Sequence, residues 1–82
     1  MEIGESAFRT IVEESAHGST EKFKELYEHL VDRVYSYVRY RTHTEDTAED
    51  LTQDVFVGLW GSLPSFSYRS RAEFYAYVFQ IV

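Results

Sequence analysis

The residues best equipped for chemistry fall in two neighbouring stretches. Glu45, Asp46, Glu49, Asp50 and Asp54 gather carboxylates around Gln53, and no basic residue lies between Glu45 and Leu63. Just beyond, Phe66, Tyr68, Arg69, Arg71 and Tyr75 interleave aromatic rings with guanidinium groups. Carboxylates in such number could hold a cation or accept paired hydrogen bonds from a partner's arginines. Aromatics beside cations could stack on unpaired bases and touch phosphates. The acids lack the loop glycine and alternating oxygen ligands of an EF-hand. His17, His29 and His43 have no paired-ligand spacing, and Glu13 with His17 four residues on reads as a surface ion pair. No Ser or Thr sits in a nucleophile elbow or with a paired His. We therefore expect no enzyme activity, no metal and no cofactor.

Length and charge narrow the remaining roles. Eighty-two residues make one small domain, which buries only about 60–65% of its unfolded surface and so needs a strongly apolar core or a partner. The core is affordable in composition: 44% of residues are hydrophobic and 17% aromatic. With no cysteine there is neither a disulfide framework nor a thiolate metal site. No apolar run approaches the roughly 20 residues that span a bilayer, and the first residues lack the pattern of a signal peptide. A cytoplasmic location without membrane insertion is expected. A formal charge of −6 argues against a free-standing binder of duplex DNA, whose affinity comes mostly from neutralised phosphates.

Apolar spacing reads as helix from end to end, which predicts an all-α bundle of about four helices. The first runs from about Glu5 to His17 with Ala7, Phe8, Ile11, Val12 and Ser15 on one stripe, and Gly18 stops it. Ser19 caps a second, which extends to about Arg41. Thr44 or Asp46 opens a third that ends near Ser62, before Pro64. Ser65 to Arg69 then forms a loop whose two aromatics have no local reason to be buried. Ser70 and Glu73, spaced as a capping box, open the fourth helix, with Phe74, Tyr77, Val78 and Ile81 on one face. The expected core is Phe23, Leu26, Leu30, Val34, Leu51, Val55, Leu59, Phe74 and Val78. The series Tyr27, Tyr35, Tyr37 and Tyr40 reads as packing and surface aromatics.

The third helix separates into faces at about 100° per residue. Ala48, Leu51, Val55 and Leu59 form the core side, and Asp50, Gln53, Asp54 and Val57 a stripe opposite. Phe56 and Trp60 lie between them. Asp50, Gln53 and Asp54 fit a solvated polar face, but a surface built only for solubility usually mixes signs.

The run Asp46 to Trp60, DTAEDLTQDVFVGLW, resembles the "DAEDLTQEVFxxxW" segment in region 2 of bacterial RNA polymerase sigma factors of the extracytoplasmic-function kind. Upstream, Phe23 to Tyr27 followed by Val34 to Val38 is similar to that family's "FeeLY...vyryl" helix. Downstream, Phe74 to Ile81 resembles "FxxWLyrIa", with Tyr77 and Val78 in place of the usual Trp and Leu. The likeness covers about residues 6 to 82 without a gap.

The resemblance implies a sigma-2 domain over residues 1–82 that joins core polymerase and helps melt the promoter. Its third helix would dock on the clamp helices of the β′ subunit through Asp50, Gln53 and Asp54, with Val57 and Trp60 as apolar neighbours. The non-template strand of the minus-ten element, mainly single-stranded and within holoenzyme, would meet Phe66, Ser67, Tyr68, Arg69, Ser70 and Arg71, then Tyr75 and Phe79. An anti-sigma factor is a further partner that the family implies. Gln80 stands where the family commonly has Arg. The basic end of region 2 and the helix-turn-helix sigma-4 domain lie outside this chain, so an excised domain is expected. Two readings stay open: a transcription-initiation module, or an acidic helical protein-interaction domain that does not read DNA. Phe66 is open in the same way, either as a base reader or as a plug between the third and fourth helices.

Overall fold

A computed structural model describes residues 3–81. The helices are α1 (Glu5–Ala16), α2 (Thr20–Tyr40), α3 (Glu45–Ser62) and α4 (Arg71–Ile81), with a 3-10 turn at Leu63–Ser65 after α3. Among the described residues there is no strand, and the domain is an all-α bundle.

Local chemistry sets the boundaries. Gly18 takes φ of +101°, a conformation that side chains with a Cβ rarely adopt. Its N–H donates to the Ser15 carbonyl, and the Ser19 N–H donates to the Glu14 carbonyl. Together these bonds make a Schellman stop. Ser19 then starts the next helix, its Oγ accepting from the Lys22 N–H at 3.1 Å. Thr44 caps α3 through an equivalent bond from the Thr47 N–H, while Asp46 sits inside the first turn, where its charge suits the helix dipole. Ser70 Oγ accepts from the Glu73 N–H at 3.1 Å at the start of α4.

The long α2 is the spine. Both α1 and α3 pack along it, and α4 closes across α3 and α1. Phe8, Val12, Leu26, Leu30, Val34, Leu59, Leu63, Phe74 and Val78 are almost wholly buried. The Ser62 and Tyr77 hydroxyls hydrogen-bond and tie the end of α3 to α4. Gly58 lets the two helices approach, since a Cβ there would lie 3.2 Å from an Ile81 methyl carbon.

The expected core needs two corrections. Phe23 is only half-buried, and Leu51 is 41% exposed. The buried face of α3 is Ala48, Thr52, Val55, Phe56 and Leu59, turned about 40° from the one the apolar pattern suggested. Thr52 tolerates burial because its hydroxyl donates to the Ala48 carbonyl at 2.7 Å. Phe56 offers more apolar area than Leu51 and packs edge-on against Tyr27, with centroids 4.6 Å apart. Leu51 is left in a shallow groove with Val38, Val55 and Ile81.

Candidate functional site

The outer face of α3 carries one of the two candidate surfaces. Asp50, Gln53, Asp54 and Val57 are all exposed on successive turns, Val57 by 73%. Among the described residues no hydrogen bond or ion pair engages the Asp50, Gln53 or Asp54 side chains. A rigid helix thus presents two carboxylates and an amide with their hydrogen-bonding capacity unspent. The geometry suits a planar guanidinium on a partner helix. Trp60 borders this face at 38% exposure, its ring edge-on to Phe23 with centroids 4.8 Å apart. The adjoining apolar groove is lined by Thr20, Phe23, Phe56, Val57 and Trp60. Phe56, expected to flank the stripe, belongs instead to the core.

The second surface, the segment before α4, is built differently. The expectation that its aromatics had no reason to be buried is corrected. Phe66 stacks on Tyr77 with centroids 4.5 Å apart and planes at 24°, and it meets Phe74 edge-on. It therefore packs against α4. Tyr68 lies beside Phe8 and Phe74, and its hydroxyl donates to Glu5 Oε1 at 2.7 Å. Burial, with the Glu5 carboxylate as second cause, pushes this phenol above the ordinary tyrosine range. Arg71 places its guanidinium 4.2 Å from the Phe8 ring centroid and donates to the Ile3 carbonyl at 3.0 Å. Its Nε is buried without an acceptor, a desolvation cost that offsets part of these gains. Ser67 and Arg69 are exposed, and Ser70 serves as the α4 cap.

Tyr75 and Phe79 are half-buried on α4. The Arg33 guanidinium lies 4.6 Å from the Tyr75 centroid, and Phe79 packs on Tyr37 at 4.9 Å. The structure therefore brings Tyr68, Arg71 and Tyr75 together around one residue the sequence reading did not single out for a site, Phe8. Its ring lies within 6.4 Å of Tyr68 and within 5.9 Å of Tyr75. The α1 stripe marked Phe8 as apolar, but nothing local showed which elements it would join. Glu13 likewise pairs with Arg9 at 3.3 Å rather than with His17.

Among the described residues, no group of three or more His, Asp or Glu side chains could hold a metal ion. No described helix is long and apolar enough to cross a membrane.

The model of the family described as sigma-70 region 2 matches residues 26–82. The chain belongs to the sigma-70 region 2 family. It is 36% identical over 61 residues to the ECF RNA polymerase sigma factor BldN of Streptomyces coelicolor, an alignment covering 74% of this chain and 23% of the relative. The sigma domain thus spans about a quarter of the length of that relative. No solved structure matches it.

Proposed function

We propose that this sigma domain docks on the clamp helices of the polymerase β′ subunit through the outer face of α3, and that the segment before α4 reads the non-template strand of the minus-ten element as the promoter melts. The observation that carries the docking reading is the unengaged stripe of Asp50, Gln53 and Asp54 on an otherwise packed helix. Val57 and Trp60 supply apolar area beside it. Surfaces of this kind combine charge-assisted hydrogen bonds with a desolvated anchor. In the strand-reading role, Phe66, Tyr68, Tyr75 and Phe79 would offer ring faces, and Arg69 and Arg71 would meet phosphates. Ser67 and Ser70 would hydrogen-bond the backbone. The domain would work with the polymerase in the cytoplasm, and an anti-sigma factor would compete for the same faces.

One observation favours the second reading, a protein-interaction domain that does not read DNA. Tyr68 and Arg71 are already engaged by Glu5, Phe8 and Ile3. A strand can use them only if these contacts yield. Titration of the chain against an isolated β′ clamp-helix fragment tests docking, and absence of binding there contradicts the proposal. Permanganate footprinting of the minus-ten region, with Tyr68→Ala placed in an intact factor bound to polymerase, separates the two readings. Slower melting with unchanged core binding is expected. Melting at the wild-type rate removes Tyr68 from the strand-reading site.

A further inference from the structure

We propose that the shallow groove between the end of α2, the middle of α3 and the end of α4 pairs with the same groove on a second copy of this chain, through two reciprocal Arg41–Asp54 ion pairs around Leu51. Val38, Leu51, Val55 and Ile81 form its apolar floor, and Arg41 and Asp54 stand on its rim. The fold does not close this floor. Val38 and Val55 are buried, but Leu51 is 41% exposed and Ile81 only half-buried. A leucine left in water beside an apolar groove is area that a partner gains by covering.

Charge points to the occupant. The rim holds one cation from the end of α2 and one anion from α3, both exposed. The Arg41 guanidinium rests 4.2 Å from the Tyr37 ring centroid, which fixes its place. Among the described residues neither Arg41 nor Asp54 has an ion pair. A patch with unspent charges of both signs is complementary to itself. A two-fold axis through the groove sets each Arg41 against the Asp54 of the other copy and brings the two Leu51 side chains together. A wholly basic or wholly acidic partner satisfies only one of the two charges. The wider surroundings agree: the chain has no acid from Arg33 to Thr44 and no base from Glu45 to Leu63. The same axis lays the acid-free end of α2 over the base-free α3, so this face escapes the repulsion that a charge of −6 imposes elsewhere. The patch is small, and interfaces below about 1,200 Å² are weak, so pairing belongs to high protein concentration. Asp54 is also part of the stripe proposed to dock on polymerase. On that reading self-pairing and clamp binding exclude each other.

The test is sedimentation equilibrium of the whole 82-residue chain at low salt, from about 10 μM to about 1 mM. The average mass should rise with concentration from 9.7 kDa toward twice that value. Leu51→Gln should weaken self-association on the order of tenfold. Arg41→Glu and Asp54→Arg, each alone, set like charges opposite one another and should weaken it by at least as much. An equimolar mixture of these two single variants should associate again, because every Glu or Asp then meets an Arg of the other copy. Net charge cannot produce that recovery, since both variants remain acidic. The double variant Arg41→Glu/Asp54→Arg should recover in the same way. Circular dichroism confirms the fold of each, and Leu51→Gln, at an exposed position, carries the test should a charge variant unfold. A mass of one chain throughout overturns the proposal and leaves the groove to a partner of another sequence. Self-association of Leu51→Gln at wild-type strength overturns it by placing the contact elsewhere, as at the groove beside Trp60. A mixture no tighter than either variant alone also overturns it. Clamp-helix binding is read separately on Leu51→Gln, so its absence contradicts the docking reading while the mass measurements decide the pairing.

Discussion

The outer face of α3 and the segment before α4 are both solvent-facing, and they are built on opposite plans. On the outer face of α3 the Asp50, Gln53 and Asp54 side chains hang from a regular helix and engage nothing among the described residues. Before α4, Phe66 packs on the adjoining helix, while Tyr68 and, at the start of α4, Arg71 are tied to a distant part of the chain, Tyr68 to Glu5 and Arg71 to Ile3. The first surface is ready to bind as it stands. The second would have to exchange internal contacts for external ones, so a ligand there would work against the fold. On the proposed roles, docking would come at little conformational cost and strand reading would be gated, because any ligand for Tyr68 and Arg71 must exceed what α1 already offers them.

Removing Phe8 strikes that difference hardest. It is fully buried and touches Tyr68, Phe74, Tyr75 and the Arg71 guanidinium. Phe8→Ala should cost about 3–5 kcal/mol in urea unfolding, the range for buried Phe truncation. A cost below about 1 kcal/mol would mean that α1 does not hold the segment before α4.

Tyr68→Phe deletes only the hydroxyl contact with Glu5 and should cost about 0.5–1.5 kcal/mol at neutral pH. It also has a pH signature. The folded phenol binds its proton more tightly than the unfolded one, so its contribution is complete below the ordinary value of 10.0. As pH rises beyond that value the unfolded chain gives up the proton first, and the contribution is lost. Thermal unfolding followed from pH 9 upward should show a steeper decline for the wild type than for Tyr68→Phe. Parallel declines would show that the phenol is not held in the folded state.

On the other surface, Leu51→Gln should change stability by no more than about 0.5 kcal/mol, as for ordinary surface positions. A loss above about 2 kcal/mol would restore Leu51 to the core and undo the corrected facing of α3.

The contrast also marks how far the amino-acid order could be read. Helix ends were legible because their chemistry is local: Gly18, Ser19, Thr44 and Ser70 each act on backbone groups a few residues away. The exposure of Asp50, Gln53 and Asp54 followed from helical period alone. The facing of α3 was displaced because hydropathy ranks Leu51 above Thr52, while the fold satisfies the Thr52 hydroxyl within its own helix and gives the space to Phe56. The anchoring of Tyr68 and Arg71 was invisible, since their partners stand more than sixty residues earlier. Periodicity reports which residues want burial, and carries no record of which distant element will supply it.

Docking through an unengaged face predicts that binding and stability come apart on α3. Asp50→Ala and Gln53→Ala should each weaken association with the β′ clamp-helix fragment by about 1.5–3 kcal/mol, the range for hydrogen bonds to charged groups. Unfolding free energies of the same variants should stay within about 0.5 kcal/mol of wild type. The direct measurement is calorimetric titration against the clamp helices paired with urea unfolding on the same samples. Lost affinity with unchanged stability is the predicted result; equal losses in both, or wild-type affinity in both variants, would contradict it.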